Sequence, residues 1–433
     1  MEARTLGPEV CVQPLNLTTV LDLAGDGLTA LGDDAVLVSD PALIEQILVS
    51  DFRSFRKGRA AQRMAGMLGR GSLLLDGDDW KQRRRLVQPA FKKRQIEAIY
   101  DAVVERTVDH ANRWIRVGRQ DLRPALLSLF VELTVHNLFK ASVDERMGEL
   151  IDAWETIFAF LADRFVDKEV PLEVEDARQT IADTLWELIG EKRRTGDDGS
   201  LLAMLIAARH EDGGQLTDQE LRDEVMTIFV GGYETSATAL LFALGLLSRH
   251  PDVARRHRAE VGARCGDRRV QGADLPAMTL NRNIVSETMR LFPPSWLFTR
   301  EATTDIVLRD TVLPAGTQVL ISPWAVHHDR ELWPNPEGFD PDRFDQPVTP
   351  MSFIPFGGGP RKCLGSHYAT AELQVMLATL VRVARFELAP GVGLVPEARL
   401  GLMPASPIVM DVRVEPTRSL GLPSDFAGAD RVV

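Results

Sequence analysis

The chain has 433 residues, 26% charged and 45% hydrophobic, with 62 aspartates and glutamates against 50 lysines and arginines for a formal net charge of −12. At roughly 150 residues per domain the length admits about three domains, and it is ample for a large core with an enclosed pocket. These fractions exclude disordered, collagen-like and coiled-coil chains, and the acidic balance argues against a nucleic-acid footprint and against general adhesion to anionic membranes.

The opening segment, MEARTLGPEVCVQPLNLTTV, has neither a basic n-region nor an apolar h-region, so no signal peptide is expected. From about Pro41 to Leu291 the pattern is mostly helical: Val131, Val135, Leu138 and Phe139 share one face, as do Leu244 and Leu247. Asp218, followed by Leu221 and Val225, opens a helix that His250–Pro251 closes. Within it, Met226 to Leu247 is the nearest approach to a membrane span, but Gly231 to Thr235 interrupt it, so no membrane anchor is expected. After Pro293–Pro294 the texture changes. Thr304 to Val319 alternates around Asp310 and Pro314–Ala315–Gly316 and reads as a hairpin, and Pro323 to Pro360 reads as an ordered meander. From Gly365 a helix returns, with Ala369, Leu373, Met376, Leu377, Leu380 and Val381 as its apolar stripe. Short strands follow Phe386. No linker divides the chain, so the expectation is one mainly α domain over residues 1–433. Its helical lobe spans about 75–291 plus 365–385, and its β-containing lobe about 15–60 and 295–350 with 387–415.

Four constellations carry chemistry. The three cysteines, Cys11, Cys265 and Cys363, include no CxxC pair, which excludes a disulfide framework and a zinc ribbon and fits a reducing, cytoplasmic compartment. Cys363 alone has a context, FIPFGGGPRKCLG. Three glycines permit φ > 0 and close approach of a flat ligand. The two cations and the following helix N-terminus are expected to lower the thiol pKa. A small buried hydrophobe is the bland alternative for a lone cysteine, and a phosphate loop fails on spacing. Glu287 and Arg290 stand at i, i+3 on one helix face, which is usually solvated decoration, but Ile284, Val285, Met289 and Leu291 around them suggest burial. Trp80 and Arg84 in DDWKQRRRL stand at i, i+4, either as a half-buried tryptophan on a basic helix or as ligand contacts. Lys81, Arg83, Arg85, Lys92, Lys93 and Arg94 form a basic patch, either a solvated face or a docking site for an acidic partner. In FVGGYETS, two mid-helix glycines cost about 1 kcal/mol each. They mark either a close helix crossing or a local helix opening that admits a diatomic ligand.

FGGGPRKCLG resembles the haem-binding signature of the cytochrome P450 family, and the resemblance runs from about Pro41 to Pro407. It implies the P450 fold, an α-rich triangular prism enclosing haem b. Cys363 would be the axial thiolate and metal ligand, Phe356 would lie near the sulfur, and Gly365 would close the loop. Arg361, Arg300, Trp80 and Arg84 would contact the haem propionates. Glu287 and Arg290 resemble the family's ExxR motif, completed by Arg343 in PDRF as a structural network, with Asp342 where the family often has Glu. Gly231, Gly232, Glu234 and Thr235 match the distal GGx[DE]T motif, with Glu234 and Thr235 as an acid–alcohol pair delivering protons to O2.

The resemblance implies a monooxygenase that oxidises a small apolar substrate with O2. Electrons would come from NAD(P)H through a separate ferredoxin and ferredoxin reductase, or a flavodoxin, and the protein would be a monomer. Peroxide use, desaturation or coupling, and a haem-binding sensor without turnover are the rivals. By family position the pocket draws on Ala60 to Leu74, Trp154 to Ala177, Ile228 to Thr235, Trp296 to Phe298 and Leu402 to Ser406. Phe158, Phe160, Phe165, Phe229, Trp296, Leu297, Phe298 and Met403 make that lining apolar. The LLLDGDDWKQRRRLVQPAF stretch resembles P450 branches acting on fatty acids, terpenes or related lipids. An Ala/Arg/Gly/Leu-rich composition points to a high-GC bacterium and to a terpenoid of secondary metabolism, with a fatty acid, polyketide or cyclic peptide as the alternatives.

Overall fold

The computed structural model describes residues 15–25, 27–141, 146–162, 169–210 and 213–415, so Cys11 and Phe165 lie outside the described residues. Its helices are α1 Leu17–Leu23, α2 Pro41–Glu45, α3 Arg59–Leu68, α4 Gly77–Val87, α5 Lys93–Glu97, α6 Tyr100–Val117, α7 Leu122–Thr134, α8 Met147–Leu161, α9 Leu172–Thr195, α10 Leu201–Ala207, α11 Asp218–Arg249, α12 Pro251–Cys265, α13 Thr279–Leu291, α14 Pro323–His327 and α15 Ser366–Val383. The strands are β1 Leu28–Ala30, β2 Ala35–Val38, β3 Phe55–Lys57, β4 Arg119–Asp121, β5 Phe298–Ala302, β6 Ile306–Leu308, β7 Thr311–Leu313, β8 Gln318–Ile321, β9 Ala384–Leu388, β10 Pro396–Ala398, β11 Leu402–Pro404 and β12 Val409–Val414.

α11 is the axis of the larger core. Thr217 and Glu220 start it with a reciprocal capping box, and Leu221 through Leu247 are buried on nearly every side, as expected of a helix apolar all round. It is the one helix among the described residues long and apolar enough to cross a membrane, and 78% of that apolar window is buried inside the fold. α7, α13 and α15 pack against it. The stripe anticipated on α15 is its core face, with Leu373, Met376, Leu377 and Leu380 buried. The face shared by Val131, Val135, Leu138 and Phe139 is buried too, although the chain widens to a π-turn over Val135–Phe139.

The smaller core lies under a five-stranded sheet of order β1-β2-β8-β5-β3, with β2 and β8 parallel and the other pairs antiparallel. The expected hairpin is β6–β7, turning at Arg309 with φ 52, but Val319 belongs to β8 and joins the large sheet instead. β4 falls in the stretch expected to be helical, because β12 needs a partner on the edge opposite β9.

α4 is held by ions that the sequence hid. Arg83, expected in the exposed basic patch, is 4% exposed and donates to the Glu220 carboxylate at 2.8 Å and to its carbonyl at 3.1 Å, with Glu224 at 3.4 Å. Glu224 in turn accepts from Ser72 N–H at 2.8 Å, and Asp223 accepts from Arg70 N–H at 2.7 Å. Gly69 and Gly71 allow that approach, since a methyl on Gly71 would meet the Thr227 hydroxyl at 2.0 Å.

Candidate active site

The cysteine loop is a backbone-determined object. Gly357 and Gly359 have φ of 68° and 64°, which glycine alone adopts readily. A methyl on Gly359 would lie 1.8 Å from the Leu48 carbonyl oxygen, so the loop is pressed against the chain at that point. The Cys363 N–H donates to the Phe356 carbonyl at 2.9 Å, and Ile354 N–H donates to His327 Nε2 at 2.9 Å, tying the loop to α14. Gly365 caps α15, and Cys363 keeps an exposed face although it lies deep in the fold. The sequence suggested a lowered thiol pKa; the structure corrects this. Burial pushes the Cys363 thiol up, and the Gly365 N–H and the charges of Arg84, Lys362 and Lys57 offset only part of that. A metal ion is the charge that would complete the deprotonation.

Cations crowd beside this thiol. Arg361 lies over the Trp80 ring at 4.4 Å, donates to the Leu75 carbonyl at 2.9 Å and pairs with Asp76 at 2.6 Å. Arg300, 7% exposed, lies over Phe298 at 5.2 Å and stands directly across β5–β3 from Lys57. Like charges in that cross-strand position repel. Burial, then the neighbouring guanidiniums, lower Lys57 to about 7; burial, then Arg361, lower Arg300 to about 10. Arg84 is half-buried, and burial lowers it as well, against the pull of Cys363. Asp76 is the carboxylate that answers Lys57, Arg300 and Arg361.

The Glu287 network contrasts with this cluster. Glu287 and Arg290 are 0% exposed and form a two-bond pair at 2.7 and 2.8 Å. Arg343 donates to the same carboxylate at 2.9 Å and Asp340 N–H at 3.0 Å, while Arg290 also donates to the carbonyls of His327, Pro336 and Gly338. Asp342 stands outside the network, paired with Arg256 at 2.6 Å.

On α11 the two glycines divide the alternatives. A methyl on Gly232 would meet the Thr134 hydroxyl at 3.3 Å, which is a close helix crossing, whereas a methyl on Gly231 would meet nothing within 4 Å. Room exists at Gly231 without the expected helix opening: α11 runs unbroken through it, and the Thr235 hydroxyl donates to the Gly231 carbonyl at 3.3 Å. Gly231 and Thr235 are exposed in this otherwise buried stretch. Glu234 is not paired with Thr235. It is 5% exposed and accepts from Arg123 at 2.9 Å and from the Trp154 indole N–H, and Arg123 also holds Glu155 at 2.7 Å. Burial pushes the Glu234 carboxyl up, with Trp154 and Arg123 pulling the other way.

The expected pocket residues separate. Phe229 packs on Tyr233 at 5.3 Å, and the aromatic chain continues through Trp154 to Phe158, which approaches Gly401 beside β11. Met403 is buried on β11, and Phe298 abuts Gly357 of the cysteine loop. Trp296 and Leu297 are each 2% exposed, and Trp296 donates to the Arg399 carbonyl at 2.8 Å, so both are pinned in the core. Lys57, Asp76, Arg123, Trp154 and His327 were not singled out for these contacts. Only Asp76, an N-cap residue type just before a helix, had a local signal, and it pointed to capping.

An accessible thiol beside an excess of buried cations calls for a ligand bringing a thiophilic metal and carboxylates together. That defines the class, a haem-thiolate protein. Comparison with known proteins is more specific: the chain belongs to the cytochrome P450 family, whose sequence profile, Cytochrome P450, matches residues 27–412. It is similar to Cyclooctatin synthase of Streptomyces melanosporofaciens, 33% identical over 92% of this chain and 91% of the relative. Cyclooctat-9-en-7-ol 5-monooxygenase of the same organism is 32% identical over 88% and 86%. Pentalenene oxygenase of Streptomyces avermitilis is 31% identical over 89% and 90%. The chain is an enzyme, a P450 monooxygenase.

The residues present fit haem. With Lys57 protonated, Lys57, Arg84, Arg300 and Arg361 less Asp76 leave three positive charges, which two propionates and a thiolate match in number.

Proposed function

We propose that this P450 oxidises a terpenoid of bacterial secondary metabolism, as one folded unit and as a monomer in the cytoplasm. Electrons would come from NAD(P)H through a ferredoxin and its reductase, or a flavodoxin. The under-balanced cation cluster beside Cys363 carries the cofactor assignment: Cys363 ligates the iron, and Lys57, Arg84, Arg300, Arg361 and Trp80 hold the propionates. Haem, when bound, supplies the iron that activates O2. Thr235 Oγ1, bonded only to a carbonyl at 3.3 Å, keeps lone pairs to hold a water and the proton that O2 needs. Glu234 is the acid that replenishes it, fed from the half-exposed Glu155 side while Arg123 sets its resting position. Glu287, Arg290 and Arg343 keep the meander, and through His327 the cysteine loop, in place. Phe229, Phe158 and Met403 give an apolar wall, and the named terpenoid oxygenases among the relatives support the substrate class. The exposed Lys92 and Arg94 support docking of an acidic electron donor on this face, beside a groove of about 660 Å³ whose lining mixes Lys93, Arg282 and His367 with Glu97 and Asp101.

The tests are two. The reduced carbon-monoxide difference spectrum of the wild type is expected near the thiolate position and lost in Cys363→Ala. Terpenes are expected to shift the haem spin state and to give product with NAD(P)H, ferredoxin and reductase; fatty acids, polyketides or cyclic dipeptides doing so in their place would overturn the substrate class.

A further inference from the structure

Asp76 occupies the N-cap position of α4, with φ −127° and ψ 174°, yet makes no side-chain cap bond. An aspartate there ordinarily accepts from the first turn of its own helix. Here both carboxylate oxygens accept the Lys57 N–H, at 3.0 and 3.1 Å, and one accepts from Arg361 Nη2 at 2.6 Å. It therefore joins β3, α4 and the cysteine loop, segments that are 19 and 285 residues away along the chain. Three of the four cations assigned to the propionates, Lys57, Arg300 and Arg361, lie within reach of its charge.

We infer that Asp76 is a positioning residue that tunes the cofactor: it aims Arg361 and serves as a built-in third carboxylate that sets the charge of the haem site. The inference rests on the haem reading above. Counted with Lys57 protonated, as the added anions of a bound haem favour, the four cations and Asp76 sum to three positive charges; two propionates and the thiolate supply three negative ones. The iron–porphyrin core carries one positive charge when ferric and none when ferrous, so with Asp76 ionised the site reaches neutrality on reduction. Without the carboxylate each state gains one positive charge, leaving two when ferric and one when ferrous, and the ferric form, the more positive, is the more disfavoured. Arg361 is oriented at the same time, because its Nη2 on Asp76, its Nη1 on the Leu75 carbonyl and its plane over Trp80 fix the guanidinium and leave other N–H donors for a ligand.

The experiment is redox titration of the purified holoenzyme for the wild type, Asp76→Asn, Asp76→Ser and Asp76→Glu, with Asp78→Asn as control. Asp78 is an exposed acid two residues on, paired with Lys81. The midpoint potential is expected to rise in the two neutral variants, to stay near wild type in Asp76→Glu and to be unmoved in Asp78→Asn. A potential unchanged in Asp76→Asn or Asp76→Ser overturns the inference. So does retention of haem by Asp76→Glu while both neutral variants lose it, since the carboxylate would then build the site without balancing it. A wild type with no thiolate-type carbon-monoxide band would instead overturn the haem reading itself.

Discussion

Two ionic clusters are joined to the cysteine loop, one through His327 and one through Arg361, and they are built on opposite principles. Around Glu287 both carboxylate oxygens and all three guanidinium nitrogens of Arg290 have partners within the chain, at full burial. Around Arg361, three cations share one aspartate, and two of them face each other across adjacent strands. A saturated network can only be architecture, because nothing is left over to bind with. An unsaturated one costs stability in the protein alone and is repaid by a ligand of opposite charge.

The largest expected effect breaks the saturated side. Glu287→Gln leaves Arg290 buried without its counter-charge, a loss of about 3–5 kcal/mol on the usual scale for halving a buried pair. Denaturant unfolding and haem content are both expected to collapse; a variant that unfolds like wild type would show that the network is not structural.

Glu372 sharpens the rule from another side. It is a buried acid whose partner is the Tyr368 hydroxyl at 3.3 Å, and burial pushes its pKa up to about 8. A raised folded-state pKa means that its contribution is fully present below the unfolded value near 4.5 and is lost as pH rises through about 8. Glu372→Gln is expected to flatten this part of the pH–stability curve between pH 5 and 8.5, an effect of a few kcal/mol. A variant keeping the wild-type slope would refute the assignment.

Arg300→Leu tests the unsaturated side. Removing one of two facing cations is expected to leave the stability of the haem-free protein unchanged or raised by up to about 1 kcal/mol, while haem transfer to an acceptor globin accelerates. Destabilisation of the haem-free form would show that the cluster is saturated after all. The smallest effect on the fold comes from Thr235→Ala. Thr235 is exposed and makes one long bond, so unfolding should shift by no more than about 0.5 kcal/mol. Product per NAD(P)H should fall while hydrogen peroxide rises, and unchanged coupling would remove Thr235 from proton delivery.

Legibility in the sequence followed the range of each interaction. Cys363 with its glycines and Glu287 with Arg290 were readable because their geometry is set within one loop or one helical turn. Arg83 was misread as exposed because a charged run on a helix shows its type but not its direction, and α4 turns Arg83 toward α11. Glu234 was placed beside Thr235 by adjacency, whereas consecutive helical residues point about 100° apart, and α7 and α8 supply its partners Arg123 and Trp154.

What the sequence determined by itself was the class of protein: a cysteine at a glycine-rich helix start and a helical bulk with a smaller β portion. These rest on local spacing, which backbone geometry translates directly. What only the tertiary structure decided was charge balance. Lys57 meets Arg300 because β3 pairs with β5, and Asp76 meets Arg361 because the cysteine loop returns to α4 across 285 residues. Coulomb energy depends on distance in space and on burial, and neither can be read from the order of residues along the chain.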